Sequence, residues 1–195
     1  RESKVQSIVS SESIGAGIRV LVKGAWGFAA TSDLTATGIG NAVQQAMLIA
    51  NSNAKIQTQP VQLAKAPALG VVSWATPIKI NAMAIPVKEK ADLLLSVNAA
   101  AMNAGANFVN SQLFLVNEQK YFASTDGSYV DQDIHRIWPN FTVTATDKVT
   151  GKFRTRNSLA APMGMGYEYL AGTTGIQLPY GLVAYSDSIN LMAEA

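Results

Sequence analysis

The one histidine of this 195-residue sequence lies in a run of alternating acidic residues. On a strand, this alternation would place Asp131, Asp133 and His135 on one face. Two carboxylates and an imidazole suit a divalent metal, so these three residues are the candidate metal ligands. The alternative is a solvated polar strand face beside the Asp126-Gly127 turn. That alternative is favoured, because a single histidine without a helical partner lacks the spacing of zinc sites.

Four large apolar side chains are candidates for contact with a substrate. Trp26 and Phe28 flank Gly27 on a predicted strand, so both rings would project from one face. They would either stack on a substrate or be buried in the core or in a subunit interface, and burial is favoured because large aromatics dominate the energetics of both. Met163 and Met165 lie between glycines, where the alternatives are an adaptable binding lip and a mobile loop.

Other recognisable chemistry is missing from the sequence. The imidazole follows no nucleophile motif, and the glycine pairs Gly15–Gly17 and Gly38–Gly40 lack the third glycine of a dinucleotide-binding fingerprint. There is no cysteine, which excludes disulfides and thiolate metal sites. No catalytic residue can therefore be assigned, and no cofactor is expected to bind within residues 1–195.

Composition limits the partners and the compartment. The 15 Lys and Arg against 13 Asp and Glu are scattered rather than clustered, so nucleic acid is not expected as a partner. No stretch approaches the ~20 apolar residues of a membrane-spanning helix, so a membrane is not expected either. The start at Arg1, without a methionine, indicates a processed or incomplete N-terminus. The expected location is the cytoplasm, or outside it if a signal segment preceded Arg1.

The candidate aromatic residues are predicted to lie in a first unit that spans residues 1–54. Its predicted elements are strands at Lys4–Ser11, Gly17–Val22 and 23–31 and a helix at Gly38–Ala50. Lys23-Gly24 is the predicted hairpin turn, and the hydroxyl of Thr35 or Thr37 would cap the helix. The helix is expected to bury one face with four apolar residues: Ile39, Val43, Met47 and Ala50.

A second unit is predicted to follow a linker. Residues 55–85 hold three prolines and a glycine among apolar residues, so most of this linker should be irregular and packed along the core. Residues 86–195 would form a helix, a four-strand antiparallel meander and a terminal helix. The predicted elements are helix Pro86–Asn103, strands 108–117, 120–125, 129–146 and 152–159, and a helix from Leu182 to Met192. The predicted fold class is α+β, with mixed, largely antiparallel sheets, packed helices and an element order that suggests two related halves.

The string Gly15–Val20 followed by Gly24–Thr31 closely resembles the opening signature of the TldD/PmbA family, once called modulators of DNA gyrase. Three further stretches agree with this family in order: Trp74–Pro77 leading into Pro86–Leu94, then Ser124–Gly127, then Gly164–Leu170. The sequence departs from the family at Asn81–Met83, where many relatives carry Asp-Pro-Phe. It also departs at His135, where a basic, Arg-like position is more usual.

The resemblance implies a metal-dependent peptidase whose HExxxH helix would hold zinc and activate water. In the family this helix follows the matched region. Residues 1–195 contain no such motif, so they are expected to be inactive alone, with zinc present only in a longer, TldD-like protein. The implied substrate is a peptide or unfolded polypeptide, and the implied partner is a TldD/PmbA-like subunit in a homo- or heterodimer. The alternatives are a metal-free PmbA-like partner that shapes the substrate channel, and a non-enzymatic binding module.

Overall fold

The computed structural model describes residues 1–65, 67–157 and 166–171. The chain divides into two compact units. The first unit is Val9–Pro67, and the second unit combines Arg1–Ile8 with Ala68–Ala195. The elements confirm the α+β class, with helices packed on two sheets. The predicted division into 1–54, 55–85 and 86–195 stays a prediction.

The first unit is a β-hairpin with a helix packed on one side. Strands β1 (Ala16–Val22) and β2 (Ala25–Thr31) pair antiparallel, as predicted. Lys23 and Gly24 form the two-residue turn with φ angles of 49° and 76°, the left-handed conformations that a type I′ turn requires. The strand predicted at Lys4–Ser11 is wrong, because those residues form no strand.

Helix α1 (Ala36–Asn53) packs on the hairpin through small residues. The Thr35 hydroxyl accepts a hydrogen bond from Gly38 N at 3.1 Å, which confirms the predicted cap. The buried residues of the helix recur every four positions: Gly38, Ala42, Ala46 and Ala50. Of the predicted buried face, Ala50 is buried and Val43 half-buried, whereas the prediction is wrong for Ile39 and Met47, which are exposed.

The second unit contains a four-stranded mixed sheet with the order β3-β5-β4, and β6 also pairs with β5. Its elements are β3 (Gly70–Ala75), α2 (Val87–Asn103), β4 (Phe108–Ser124), β5 (Ser128–Thr146), β6 (Phe153–Asn157) and α3 (Glu168–Ala171). Strand β3 runs parallel to β5, and the other pairs are antiparallel. Helix α2 agrees with its prediction and begins directly after Pro86.

One prediction about the second unit is wrong. The turn predicted at Asn117-Glu118 does not exist, because β4 is one strand of 17 residues. Both polar residues face cross-strand partners, His135 and Ile134, so the ladder continues through them. The described part of the predicted linker is mostly irregular, and it contains one strand, β3, in which Val71, Val72 and Trp74 favour extended structure. The predicted helix at 182–192 and the end of the last predicted strand, 158–159, lie outside the described residues.

Described residues cover one face of the long sheet over the part that contacts α2, and they leave the opposite face exposed. Helix α2 packs its Val97 and Ala101 against a buried cluster: Ala106, Val109, Phe141 and Val143. A second buried cluster joins Ala82, Ile137, Tyr167 and Leu170. We call the opposite face the outer face; the register places on it exposed apolar side chains that include Trp74, Phe114, Val116, Phe122 and Trp138, and the charged side chains Glu118, Lys120 and Arg136.

Residues at the start of the chain belong to the second unit. Glu2 N donates a hydrogen bond to Val109 O at 2.8 Å, and Glu2 O accepts one from Asn98 Nδ2 at 2.8 Å. The Asn98 side chain is fully buried, so this contact is shielded from water. The first unit is therefore formed by chain that lies between two parts of the second. None of the helices in the described ranges combines the length and apolarity needed to cross a bilayer.

Candidate functional site

An open cleft of about 520 Å³ lies in the first unit. Residues of β1, β2 and α1 form its wall: Arg19, Trp26, Gly27, Phe28, Ile49 and Asn53. It contains both candidate aromatic residues of that unit. The cleft is wide enough for several heavy atoms of a ligand and is open to solvent along one side.

Trp26 and Phe28 project from one face of β2, as their alternation predicted. Their exposed fractions are 37% and 56%, whereas Gly27 between them is buried against α1. A Cβ on Gly27 would collide with Ala46 O and lie only 2.7 Å from Ala50 N. The helix therefore occupies one face of the hairpin, and the two rings lie on the face that remains free.

Arg19 completes the aromatic wall, and sequence reasoning missed it. It is the cross-strand partner of Phe28, and its guanidinium lies over the Trp26 ring, 5.5 Å from the centroid. A cation over an aromatic face is attracted by the ring quadrupole. The predicted Lys23-Gly24 turn already places Arg19 opposite Phe28, so the sequence contained the information needed to find this residue.

The outer edge of β2 carries backbone groups that do not pair with β1. In a hairpin with a two-residue turn, Ala25 and Gly27 exchange hydrogen bonds with β1, so Trp26 and Phe28 direct their N–H and C=O groups outward. Consistent with this, Trp26 O accepts a hydrogen bond from Asn53 Nδ2 at 2.9 Å. Nearer the turn, Gly24 O accepts hydrogen bonds from Val61 N and Gln57 Nε2, both at 2.8 Å. The described residues thus cover the edge near the turn and leave it open beside Phe28.

The polar cluster on β4 and β5 brings together two of the three candidate metal ligands. Asp133 Oδ1 lies 3.4 Å from His135 Nε2. Asn117 Nδ2 donates a 2.6 Å hydrogen bond to the same Asp133 oxygen and lies 3.2 Å from His135 Nε2. Asp131 is opposite Tyr121 and has no hydrogen bond or ion pair to this cluster. Sequence reasoning missed Asn117 because it placed a turn there.

This cluster does not fit the zinc that the family implies. An amide N–H₂ group fills the space between the imidazole and the carboxylate, and the described ranges hold no group of three His, Cys, Asp or Glu side chains arranged for a metal. The sequence offers one histidine and no cysteine, too few for a zinc site of the usual kind. The backbone N–H of His135 donates to Thr76 Oγ1 at 3.0 Å, a contact between β5 and the end of β3.

Glu168 forms a polar network that sequence reasoning did not single out. Its carboxylate accepts hydrogen bonds from Lys79 N at 3.0 Å, Ile80 N at 2.8 Å and Gly166 N at 3.2 Å. Partial burial raises the pKa of Glu168, but the backbone hydrogen bonds outweigh it and hold the pKa below its usual range. A Cβ on Gly166 would collide with Ile80 O, so the Gly-Tyr-Glu sequence at 166–168 fits the 78–81 segment closely.

The other two candidates for substrate contact, Met163 and Met165, lie outside the described residues.

Comparison with known families agrees with the signature residues. Residues 1–50 match the PmbA/TldA metallopeptidase domain 1, and residues 82–184 match the PmbA/TldA metallopeptidase central domain. The central-domain match alone covers more than half of the chain. No curated protein matches the sequence significantly. The first of these domains contributes the hairpin and most of α1, and the second contributes α2 and strands β4, β5 and β6. On these matches the chain belongs to the PmbA/TldD family of metallopeptidases.

Proposed function

We propose that these domains form the non-catalytic, substrate-handling part of a metal-dependent peptidase subunit, and that the cleft of the first unit receives an extended stretch of the peptide substrate. The observation that carries this proposal is the exposure of Trp26 and Phe28 in a concave site beside an open strand edge. Exposed aromatic pairs of this kind are unusual on a surface that has no partner.

An extended peptide suits this cleft because it can add to the edge of β2. The outward N–H and C=O groups of Phe28 would pair with the backbone of the peptide, which gives affinity without a sequence requirement. Side chains of the added strand would alternate between the face of α1 and the face of the two rings. Peptidases that act on unfolded polypeptides need this type of recognition.

The catalytic metal has to be held by residues other than those described. His135 is buried among Asn117, Asp133 and Thr76, so it is a structural residue in this proposal. We place the zinc ligands in a part of the subunit or of its partner beyond residues 1–195. A metal-free PmbA-like subunit would use the same cleft to guide substrate towards the metal of its partner. A non-enzymatic binding module is the remaining alternative.

The outer face of the second unit is proposed as a subunit interface. Phe114 and Trp138 form a tilted pair there, with ring centroids 5.5 Å apart and both side chains exposed. Phe114, Val116 and Trp138 lie next to one another on this face and form the kind of exposed apolar patch that proteins cover by association. The partner we propose is a second TldD/PmbA-like subunit.

The test of the cleft uses the full-length protein together with its partner subunit. Trp26→Ala and Phe28→Ala remove rings that contact substrate in this proposal, so each should raise KM for an unstructured peptide about tenfold while kcat changes little. The control is Tyr121→Ala, which removes an equally exposed ring from β4 in the other unit. Unchanged KM in both cleft variants, with thermal unfolding like that of the wild type, would show that the cleft does not bind substrate.

A further inference from the structure

We propose that Arg19 recognises a carboxylate on the bound peptide, so that the cleft selects acidic substrate segments. This inference rests on the proposed function, because it assigns a chemical preference to the same cleft. The preferred ligand is an extended peptide with a glutamate side chain on the face of the two rings. A peptide C-terminus presents the same chemistry and is distinguished by the test.

The first support is the orientation of the Arg19 side chain. Its guanidinium lies over Trp26, which is diagonal to Arg19 in the hairpin rather than directly opposite. The side chain therefore lies against the rings of β2, where it lines the cleft. Stacking on a ring holds the planar guanidinium in one orientation and leaves its N–H fork free for a carboxylate.

The second support is charge. None of the ion pairs within the described ranges includes Arg19; they are Arg136–Glu118 at 2.7 Å, Lys88–Asp92 at 2.6 Å, Arg1–Glu2 at 3.4 Å and His135–Asp133 at 3.4 Å. The residues that line the cleft include no carboxylate, so Arg19 gives the cleft one uncompensated positive charge. A carboxylate on the ligand is the complementary group.

The distance between Arg19 and an added strand favours the longer side chain of glutamate over that of aspartate. A strand added to β2 lies about two strand spacings, roughly 9.6 Å, from β1. The Arg19 side chain covers part of this span, since its guanidinium already lies over the Trp26 ring. The longer side chain of glutamate closes the remaining gap with less distortion of the added strand.

The experiment measures peptide binding to the full-length protein by fluorescence anisotropy, with metal chelated so that the labelled peptides stay intact. The peptides are identical except for one central Glu, Asp, Gln or Lys, each with a free or an amidated C-terminus. We expect the Glu peptide to bind about tenfold more tightly than the Gln peptide, and the advantage should shrink as salt rises because it is electrostatic. The wild-type comparison needs no mutation, so it does not depend on the folding of a variant.

The variants identify the residue responsible. Arg19→Gln should abolish the Glu preference, Arg19→Lys should keep part of it, and Arg19→Glu should reverse it in favour of the Lys peptide. Arg154→Gln is the matched control, since Arg154 lies exposed on β6 in the other unit, where its guanidinium donates a hydrogen bond to the carbonyl of Phe153 at 3.1 Å. Its binding profile should equal that of the wild type.

The outcomes separate this inference from the function on which it rests. Equal affinity for Glu, Gln and Lys peptides, combined with a loss of binding in Trp26→Ala, would overturn the role of Arg19 and leave the cleft proposal standing. An advantage for free C-termini that Arg19→Gln removes would support the carboxylate assignment and name the terminus as its source. A Glu preference that survives Arg19→Gln would overturn the inference. Full binding in Trp26→Ala and Phe28→Ala would overturn the cleft itself.

Discussion

Glu168 connects two segments of the second unit that are far apart in sequence. Its carboxylate accepts three backbone hydrogen bonds, two of them from Lys79 and Ile80. Tyr167 N donates to Ile80 O at 2.7 Å, so the two segments exchange hydrogen bonds in both directions. The Glu168 carboxylate therefore holds the two segments together, and the stability of this contact depends on the negative charge of the carboxylate. We call this contact the Glu168 clamp.

Glu168→Gln should destabilise the protein at neutral pH by about 1 kcal/mol, because an amide replaces one accepting oxygen with a donor. The pKa of Glu168 is depressed in the folded state, so its contribution is present above the unfolded pKa and is lost as pH falls through the folded pKa. The variant and the wild type should thus differ in urea midpoint at pH 7 and converge only as the pH falls below the depressed folded-state pKa of Glu168. Glu12→Gln, at an exposed position in the first unit, should match the wild type throughout. If the difference in urea midpoint between Glu168→Gln and the wild type grows as the pH falls, the role proposed for the Glu168 carboxylate is wrong.

Gly27 offers a second test, one that belongs to the contact between α1 and β2. Gly27→Ala would place a methyl group against Ala46 O and Ala50 N, so we expect a loss of about 1–3 kcal/mol in stability. Gly40→Ala is the matched control, because a Cβ there meets nothing within 4 Å. That control should be neutral or stabilising by up to about 1 kcal/mol, since alanine favours helix. Chemical denaturation of both variants measures the difference, and equal stability would mean that the helix can move away from the strand at little cost.

The same contact explains why the buried face of α1 was mispredicted. The sequence contains the right period, but large apolar residues such as Ile39 and Met47 were assigned to the core. Close approach of helix and strand at Gly27 leaves room only for glycine and alanine, so the small residues turn inward. The fit between α1 and β2 depends on how closely the two elements approach each other. The spacing of apolar residues within α1 alone cannot predict this distance.

The turn wrongly predicted within β4 also shows that local sequence signals do not predict tertiary contacts. Asn117-Glu118 has turn-forming composition, yet both side chains find partners on β5: Glu118 pairs with Arg136, and Asn117 with Asp133. Turn propensity is a local preference that cross-strand contacts override.

Elements that depend on local sequence signals were predicted well, including the Lys23-Gly24 turn, the Thr35 cap and α2. The Trp26 and Phe28 side of the cleft followed from strand alternation, whereas Asn53 and Ile49 depend on how α1 packs.

At the scale of the whole molecule, the outer face should control assembly. Phe114→Asp places a charge beside Trp138 within the apolar patch of this face, and desolvating that charge in an interface is costly. We expect the subunit dissociation constant to rise at least tenfold, measured by light scattering across a concentration series. Val149→Asp is the control, because Val149 is 94% exposed in a turn away from the sheet face. Identical dissociation constants for the two variants would place the interface elsewhere.

The path of the chain through the two units has a consequence for biosynthesis. During translation, residues 9–67 emerge as a hairpin and a helix that pack on each other within one unit, so they can fold early. Residues 1–8 leave the ribosome before them, yet Glu2 meets its partners only after Asn98 and Val109 have been made. This earlier segment is therefore fixed in place later than the unit that follows it. A synonymous-codon pause just after residue 67 should leave the yield of native protein unchanged, whereas one between residues 98 and 109 prolongs the interval in which the second unit is incomplete.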